Sequence, residues 1–269
     1  MALVGVYFLV KIDDEPVAFS LPSPPELTGP LAPNDMLTKA ENIMENEVLG
    51  AESIVFDQGK IYTGTWDGKI VAIDRRQIVK VVRLGSGEIC ATFDTEPKCG
   101  RPLGMRLMGD GNLLVVDTYL GIYTVNMNTG QAQLLVQGDA LIGDRKVKFL
   151  NDVDILDDGR IVFTDSSSTY DRRRFVHIPV VGRPDGRLIA YNPMTMHFQV
   201  LMDGLVFANG VQVSQDRKSI YVAESFRARI HKYHLSGEKA GQSEIFIDNV
   251  PGLPDNIRLA SNGRSLGFS

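Results

Sequence analysis

Four residues with side-chain oxygen atoms stand at equivalent positions of a repeating strand pattern: Glu52, Asn151, Asn209 and Asp255. Each begins a segment in which apolar residues follow two and four positions later, as in NDVDI and NGVQV. Side chains two positions apart lie on one face of a strand, so each oxygen shares a face with apolar residues. An isolated Asn-Gly pair is more often only a turn. Four polar groups that meet near a core need a shared partner, so the repetition predicts a bound ligand.

The types of these residues indicate calcium. Calcium takes about six to eight oxygen ligands from carboxylates, amide carbonyls and water. Glu52 and Asp255 bring two negative charges that match one Ca²⁺, and the two asparagines add oxygen atoms without charge. Two neighbouring residues could add ligands or bonds to the ligands: Asp152 and Asn256. Positions left to water or to a substrate carbonyl would make this centre a Lewis acid, with Asp255 as a candidate base for water.

Other catalytic motifs are absent from the sequence. There is no GxSxG elbow, no P-loop and no GxGxxG after a strand. The four histidines do not cluster, and His231 and His234 fall on opposite faces if RIHKYHL is a strand. Acidic residues also recur where the second strands end, and we interpret them as turn and strand-end groups: Asp117, Asp165 and Glu224.

The charge balance argues against a nucleic-acid surface. Lys and Arg number 28 against 33 Asp and Glu, a formal charge of −5. The arginines at 172, 173 and 174 form the single basic cluster, which we interpret as a solvated loop. With 269 residues, 43% of them hydrophobic, the chain can bury a sizeable core.

The strands repeat with a period typical of propeller blades. Repeat starts at positions 52, 103, 151, 209 and 255 are followed, in four of the five cases, by a polar turn and a second strand such as IVFTDS. A spacing of about 50 residues with several strands per unit predicts an all-β propeller. An insertion around residues 168–184 lengthens the third interval and is expected to form a loop on one face.

The pattern divides the chain into three parts. Residues 1–10 are apolar, residues 11–33 form a proline-rich linker, and residues 34–269 form the propeller, beginning with a short helix from Asn34 or Asp35 to about Asn46. Because the last repeat stops after its first strand, we expect about five blades of an incomplete ring. Spanning a bilayer takes about 20 apolar residues, so residues 1–10 are too short to cross it as a helix. Three interpretations are open: a buried strand, part of a longer segment, or the remnant of a membrane anchor.

Two cysteines, Cys90 and Cys99, leave two alternatives: a pair of buried thiols or one disulfide that closes a short loop. Their closeness in a loop flanked by glycine and proline favours the disulfide. A disulfide in turn indicates an oxidising compartment.

Four motifs in order resemble the strictosidine-synthase-like group of six-bladed propellers: CGRPLGMR, FLNDVDILDDGRIVFTDSSS, FANGVQVSQDRKSIYVAES and VPGLPDNIR. The resemblance covers nearly the whole chain, including LTKAENIMENEVLGAESI near its start. The wider superfamily includes gluconolactonases and paraoxonases, which bind an axial calcium through glutamate, asparagine and aspartate. It therefore implies a calcium site at the residues that match by motif position: Glu52, Asn151, Asn209 and Asp255, with Asn256 as in paraoxonases.

The resemblance also implies an activity and a location. Members most like this chain are linked to arylesterase-type activity and are type II membrane proteins with a luminal or extracellular propeller, in the endoplasmic reticulum or at the cell surface. Residues 1–10 would then be the remnant of an anchor, and Cys90 and Cys99 would form a disulfide.

Two departures limit what can be transferred. Leu103 stands where a paraoxonase has its catalytic histidine, and the part that carries the glutamate of plant strictosidine synthases has no counterpart here. We therefore expect a calcium-dependent hydrolase of small esters or lactones, of the arylesterase type. The alternative is a non-catalytic propeller that binds partners and holds a structural calcium.

Overall fold

The computed structural model describes residues 14–109, 111–260 and 266–268. Regular structure in these residues is almost all β-strand. The apolar segment at residues 1–10 lies outside them. No helix within the described ranges has the length and apolar character needed to cross a bilayer.

The first two sheets are antiparallel meanders of four strands each. The first contains β1 (Ile54–Asp57), β2 (Lys60–Gly64), β3 (Lys69–Asp74) and β4 (Gln77–Arg83). A short helix, α1 (Glu96–Cys99), leads to β5 (Pro102–Gly109), β6 (Asn112–Asp117), β7 (Gly121–Asn126) and β8 (Ala132–Gln137). A two-stranded ribbon follows, of β9 (Leu141–Ile142) and β10 (Arg145–Lys146).

The next two sheets repeat this order. The third contains β11 (Leu150–Ile155), β12 (Ile161–Asp165), β13 (Gly186–Asn192) and β14 (His197–Leu205), with helix α2 (His177–Val181) inserted after β12. The fourth contains β15 (Ala208–Val213), β16 (Ser219–Glu224), β17 (Arg229–His234) and β18 (Ser243–Ile247). Strands β19 (Ile257–Leu259) and β20 (Leu266–Phe268) form a fifth, two-stranded sheet.

The first strand of each sheet is the innermost one. Each predicted repeat start lies in or directly before β1, β5, β11, β15 or β19, and these strands contact one another from sheet to sheet. The last strand of a sheet faces solvent, and all five residues of β18 are exposed. The all-β class and the predicted strand repeat are confirmed.

The hydrophobic core lies between adjacent sheets. One cluster joins the first two sheets through residues such as Ile70 and Met105, and a second joins the next pair through Leu114 and Phe163. A third cluster fills the space between the third and fourth sheets. Alternating strand residues supply both faces of a sheet, so an inner sheet packs against a neighbour on each side.

Close approach of the innermost strands explains two glycines. A Cβ on Gly104 would lie 2.5 Å from Oδ1 of Asp152, and a Cβ on Gly210 would lie 2.5 Å from the Asp255 carbonyl oxygen. Asn209 and Gly210 both lie within β15 and do not form a turn. The glycine after a repeat start therefore permits the neighbouring strand to approach.

The N-terminal region differs from its prediction in one element. Instead of a helix to about Asn46, Met36–Lys39 forms one 3₁₀ turn. Met44 and Asn46 have positive φ angles of 57° and 63°, which a helix does not permit. Met44 is turned inward, where it packs against Val71 and Ile73, and this burial outweighs the helical pattern.

The proline-rich segment is attached to the domain. It contains one 3₁₀ turn, Gly29–Leu31. The Val17 amide donates a hydrogen bond to the Val181 carbonyl oxygen at 2.7 Å, and the Arg227 guanidinium lies 3.9 Å from the centre of the Phe19 ring. This segment therefore lies against α2 and the turn after β16.

The disulfide between Cys90 and Cys99 is confirmed, with the two Cα atoms 5.8 Å apart. It closes the loop that carries α1, directly before the second sheet. The loop is thus covalently closed beside the innermost end of β5.

One buried carboxylate on β11 is bonded from three other innermost strands and is linked through Arg258 to the residue before β1. Asp152 on β11 is fully buried and accepts hydrogen bonds from the Val211 amide at 2.9 Å and from Arg258 Nη1 at 2.8 Å. Arg106 on β5 donates to it at 3.2 Å, and Arg258 also reaches the Ser53 hydroxyl at 3.0 Å. Burial alone would raise the pKa of Asp152, but the two guanidinium groups lower it. The carboxylate is therefore charged and fully bonded.

Replacing Asp152 with alanine should destabilise the fold strongly. The change leaves Arg106 and Arg258 partly buried without their shared partner, which typically costs about 3–5 kcal/mol of unfolding free energy. The control is Asp157→Ala, which removes an exposed ion pair with Arg217 and should cost under about 1 kcal/mol. Urea denaturation followed by circular dichroism measures both. Similar small losses would contradict this interpretation of the network.

Candidate metal centre

One cavity of about 330 Å³ collects the four residues predicted from the repeat: Glu52, Asn151, Asn209 and Asp255. They come from four different sheets, in or just before the innermost strands. Asn256, the further predicted ligand, is absent from the lining in the described structure; its Nδ2 donates to Oε1 of Glu52 at 3.0 Å. Asn256 thus holds a cavity residue.

Two serines orient the asparagine amides. Asn151 donates through Nδ2 to the Ser166 hydroxyl at 3.0 Å, and Asn209 donates to the Ser225 hydroxyl at 3.1 Å. Each hydroxyl in turn donates a hydrogen bond to a carbonyl oxygen of the next repeat, Ser166 to that of Ala208 and Ser225 to that of Pro254. Because each serine proton is used in this way, the serine must accept from the amide nitrogen. The amide oxygens therefore point away from the serines.

Three buried oxygen atoms in this cavity lack a hydrogen-bond partner among the described residues: Glu52 Oε2, Asn151 Oδ1 and Asn209 Oδ1. Leaving buried acceptors unpaired is costly, and a hard cation is the partner that carboxylate and amide oxygens fit. The described residues hold no group of three or more His, Cys, Asp and Glu placed for a metal. A centre here would therefore depend on amide oxygens.

The electrostatics of the cavity suit a bound cation. Burial raises the pKa of Glu52 to about 7, and the charges of Asp152 and Asp255 add to the rise. Burial also raises the pKa of Asp255, with the adjacent Asn209 amide opposing the rise. The charge of Arg258 opposes both rises without cancelling them, and a divalent cation would supply the remaining compensation.

The walls of the cavity are apolar. Six side chains form them: Leu103, Phe149, Phe175, Phe207, Phe226 and Leu253. Leu103 occupies the second sheet's equivalent position, so that sheet contributes no oxygen there, and no histidine of the described structure lines the cavity. The result is a polar floor under walls suited to an aryl or alkyl group.

Two arginines in the cavity were missed from the sequence. Arg172, interpreted above as solvated, lines the cavity, and its Nη1 lies 3.1 Å from both carboxylate oxygens of Glu96. Arg101 is buried and also lines it. Arg101 stands two residues before Leu103, a repeat start. Its position near a repeat start was the signal in the sequence that could have placed it near the cavity. The insertion at residues 168–184 contributes Arg172 and thus lies on the cavity face.

The acidic strand ends stabilise the strands that carry the asparagines. Asp165 is the last residue of β12 and is fully buried. It accepts a hydrogen bond from the Phe149 amide at 3.1 Å and forms an ion pair with Arg187 at 2.6 Å. Glu224 ends β16 and accepts from the Val206 amide at 2.8 Å. Their interpretation as strand-end groups is confirmed, and both are buried.

Two family profiles match the chain. The profile described as Strictosidine synthase matches residues 151–238, and the profile described as Strictosidine synthase-like, N-terminal, matches residues 29–73. The two matches include Glu52, Asn151 and Asn209.

Curated relatives match over nearly the whole chain. Adipocyte plasma membrane-associated protein from Gallus gallus is 46% identical over 97% of this chain and 63% of its own length. The protein of that name from Rattus norvegicus is 42% identical over 97% of this chain and 69% of its own length. The chain thus spans about two thirds of the length of these relatives.

Solved structures share the fold. A gluconolactonase from Xanthomonas campestris superposes with a TM-score of 0.56 at 15% identity, over 82% of this chain and 83% of its own. Regucalcin from Agrobacterium tumefaciens, a calcium-binding protein, gives a TM-score of 0.53 at 16% identity, over 76% of this chain and 61% of its own. At these identities the similarity concerns the fold alone.

Calcium should stabilise the protein through the asparagine oxygens. We expect saturating Ca²⁺ to raise the melting temperature, because a cation that binds only the folded state stabilises it. Asn209→Ala removes one of the three unpartnered oxygens and should reduce the calcium-induced rise by at least half. Asn192→Ala alters a turn away from the cavity and should leave that rise unchanged. Differential scanning calorimetry with and without chelator measures it; equal rises in both variants would contradict the site.

Proposed function

We propose, since this chain belongs to the adipocyte plasma membrane-associated protein family of strictosidine synthase-like propellers, that it is a calcium-dependent hydrolase of small esters or lactones, of the arylesterase type. One observation carries this proposal. Three buried oxygen atoms without partners face a cavity whose walls are apolar. A cation held on the floor of such a cavity would lie beside a bound acyl group.

The residues present fit a calcium ion. Glu52, Asn151, Asn209 and Asp255 would hold it, and Asn256 would position Glu52 through the hydrogen bond to Oε1. Calcium bound there would polarise the carbonyl of an ester and stabilise the negative charge that develops on its oxygen. The similarity in fold to the calcium-binding regucalcin supports this choice of ion.

The remaining groups divide the work of hydrolysis. The aromatic walls bind the aryl or alkyl part of the substrate and exclude bulk water; Phe149 and Phe207 meet edge to face at 5.3 Å. Asp255 is the proposed base, taking a proton from the water that attacks the acyl carbon. With Leu103 at the second repeat start, a histidine is not available for this step at that position.

The ring architecture and cellular location are part of the proposal. We propose six blades, of which four complete sheets and the β19–β20 pair are described here. We also propose a membrane-associated protein whose propeller faces the lumen or the cell exterior, with residues 1–10 belonging to the anchor. The disulfide and the names of the relatives support this location.

A second candidate function is a non-catalytic propeller that binds partners and uses calcium to join its blades. The position of the centre favours it, because the candidate ligands come from four sheets. A cation shared by four sheets would stabilise the fold whether or not it acts on a substrate.

Arylester and lactone hydrolysis, with and without chelator, separates the two functions. Phenyl acetate turnover should disappear with chelator and return with Ca²⁺. Asp255→Ala should lower kcat by about a hundredfold or more, the contribution typical of a general base. Asp248→Ala, on an exposed loop nearby, is the matched control and should have normal activity.

Ester hydrolysis indifferent to both chelation and Asp255→Ala would contradict the proposed calcium-dependent mechanism with Asp255 as base. A chelator that lowers the melting temperature, with no turnover on the ester and lactone panel, would instead support the non-catalytic function.

A further inference from the structure

Arg101 is a buried cation without a bonded partner. Only 5% of the residue is exposed, and its Nε and Nη1 have no hydrogen-bond partner among the described residues. Arg101 takes part in none of the ion pairs found in the described structure. Most other buried charged residues, such as Asp152 and Arg187, do form ion pairs. A guanidinium group stays protonated in proteins, so Arg101 carries a charge that its surroundings do not bond.

Three nearby carboxylates, of Glu52, Glu96 and Asp117, favour the charge of Arg101, but none of them is hydrogen-bonded to its guanidinium group in the described structure. Glu96 accepts from Arg172 at 3.1 Å and from the Tyr119 hydroxyl at 2.6 Å. Asp117 Oδ1 accepts hydrogen bonds from the backbone amides of Tyr119 and Leu120, at 3.1 and 3.0 Å. Burial and the neighbouring Arg172 lower the pKa of Arg101, so its charged form lies in an unfavourable environment. An anion brought in by a ligand would relieve both effects.

The guanidinium lies beside the candidate metal centre. A Cβ on Gly50 would lie 3.5 Å from Nη2 of Arg101, and Gly50 precedes Glu52 by two residues. Arg101 and Glu52 line the same cavity, together with the aromatic walls. A ligand in this cavity would meet a cationic group, an apolar surface and the candidate calcium ligands at once.

We propose that Arg101 binds a carboxylate carried by the substrate, so that the cavity selects apolar esters or lactones that also bear a negative charge. The guanidinium donates its unpartnered N–H groups to the carboxylate oxygens, the aromatic walls hold the apolar body, and the reacting carbonyl reaches the candidate centre. This substrate class rests on the proposed hydrolase. The binding of a carboxylate at Arg101 can be measured without turnover.

A structural alternative gives a different result. Asp117 Oδ2 is also buried without a hydrogen bond, so Arg101 would act as its partner through a small shift or a water molecule. In that case removing Arg101 would lower stability without changing which ligands bind.

Direct binding tests the proposal first. Isothermal titration calorimetry on the full chain compares 4-methoxybenzoate with the neutral 4-methoxybenzamide, in calcium and again in chelator to exclude a bond from the carboxylate to the metal. We expect the benzoate to bind at least about tenfold more tightly, and Arg101→Gln to abolish this preference in both conditions. Arg173→Gln removes an arginine paired with Asp171 outside the cavity and should keep the preference.

Hydrolysis tests the substrate class. The pair 4-acetoxybenzoate and its methyl ester differ in one charge. Arg101→Gln should lower kcat/KM for the charged ester about tenfold or more, mainly through KM, and change the methyl ester by less than about threefold.

The outcomes separate the two proposals. A wild-type protein that binds benzoate no better than benzamide overturns the inference, whether or not Arg101→Gln folds. So does an equal loss on both esters, which would indicate the structural pairing with Asp117. If both esters are hydrolysed equally well, the proposed preference for anionic substrates is overturned and the proposed hydrolase activity stands. Carboxylate binding that depends on Arg101, without turnover of either ester, supports the binding site and overturns the hydrolase.

Discussion

Polar side chains on the innermost strands must find partners where water has little access, and this requirement organises the centre of the molecule. One layer of these groups is satisfied by protein atoms: Asp152 is bonded by Arg106, Arg258 and the Val211 amide. The neighbouring layer is not, because Glu52 Oε2 and the amide oxygens of Asn151 and Asn209 have no donor among the described residues. The same innermost strands thus carry one network that holds the sheets together and one set of acceptors directed at a ligand.

The second layer is held in position by its surroundings. Ser166 and Ser225 occupy matching positions after the second strands and turn both amides in the same sense, so the two oxygens face the cavity. Leu103 interrupts the series with an apolar side chain, and Arg101 lies close by with an unbonded charge. The second sheet therefore differs from the others: it contributes a wall and a cation where the others contribute oxygens. Different sheets of the propeller would therefore supply metal binding and substrate selection.

Strand periodicity was sufficient to locate the first strands and the four residues of the cavity floor, because both depend on register alone. The disulfide followed from the closeness of Cys90 and Cys99 in the chain. Periodicity failed near Met44, where burial against another sheet overrides a helical pattern. It also did not identify Arg101 and Arg172 as cavity residues. Whether an arginine is buried and paired depends on neighbours distant in sequence, as the ion pair between Arg172 and Glu96 shows.

A crystal structure grown with calcium tests the central claim most directly. The account predicts one cation peak on the cavity floor, bonded to oxygen atoms of Glu52, Asn151 and Asn209 at about 2.3–2.6 Å. Repeating the experiment with strontium, whose anomalous signal identifies the ion, should place a peak at the same point. Ordered water molecules or a protein donor bonded to these three oxygens, with no cation density, would contradict it.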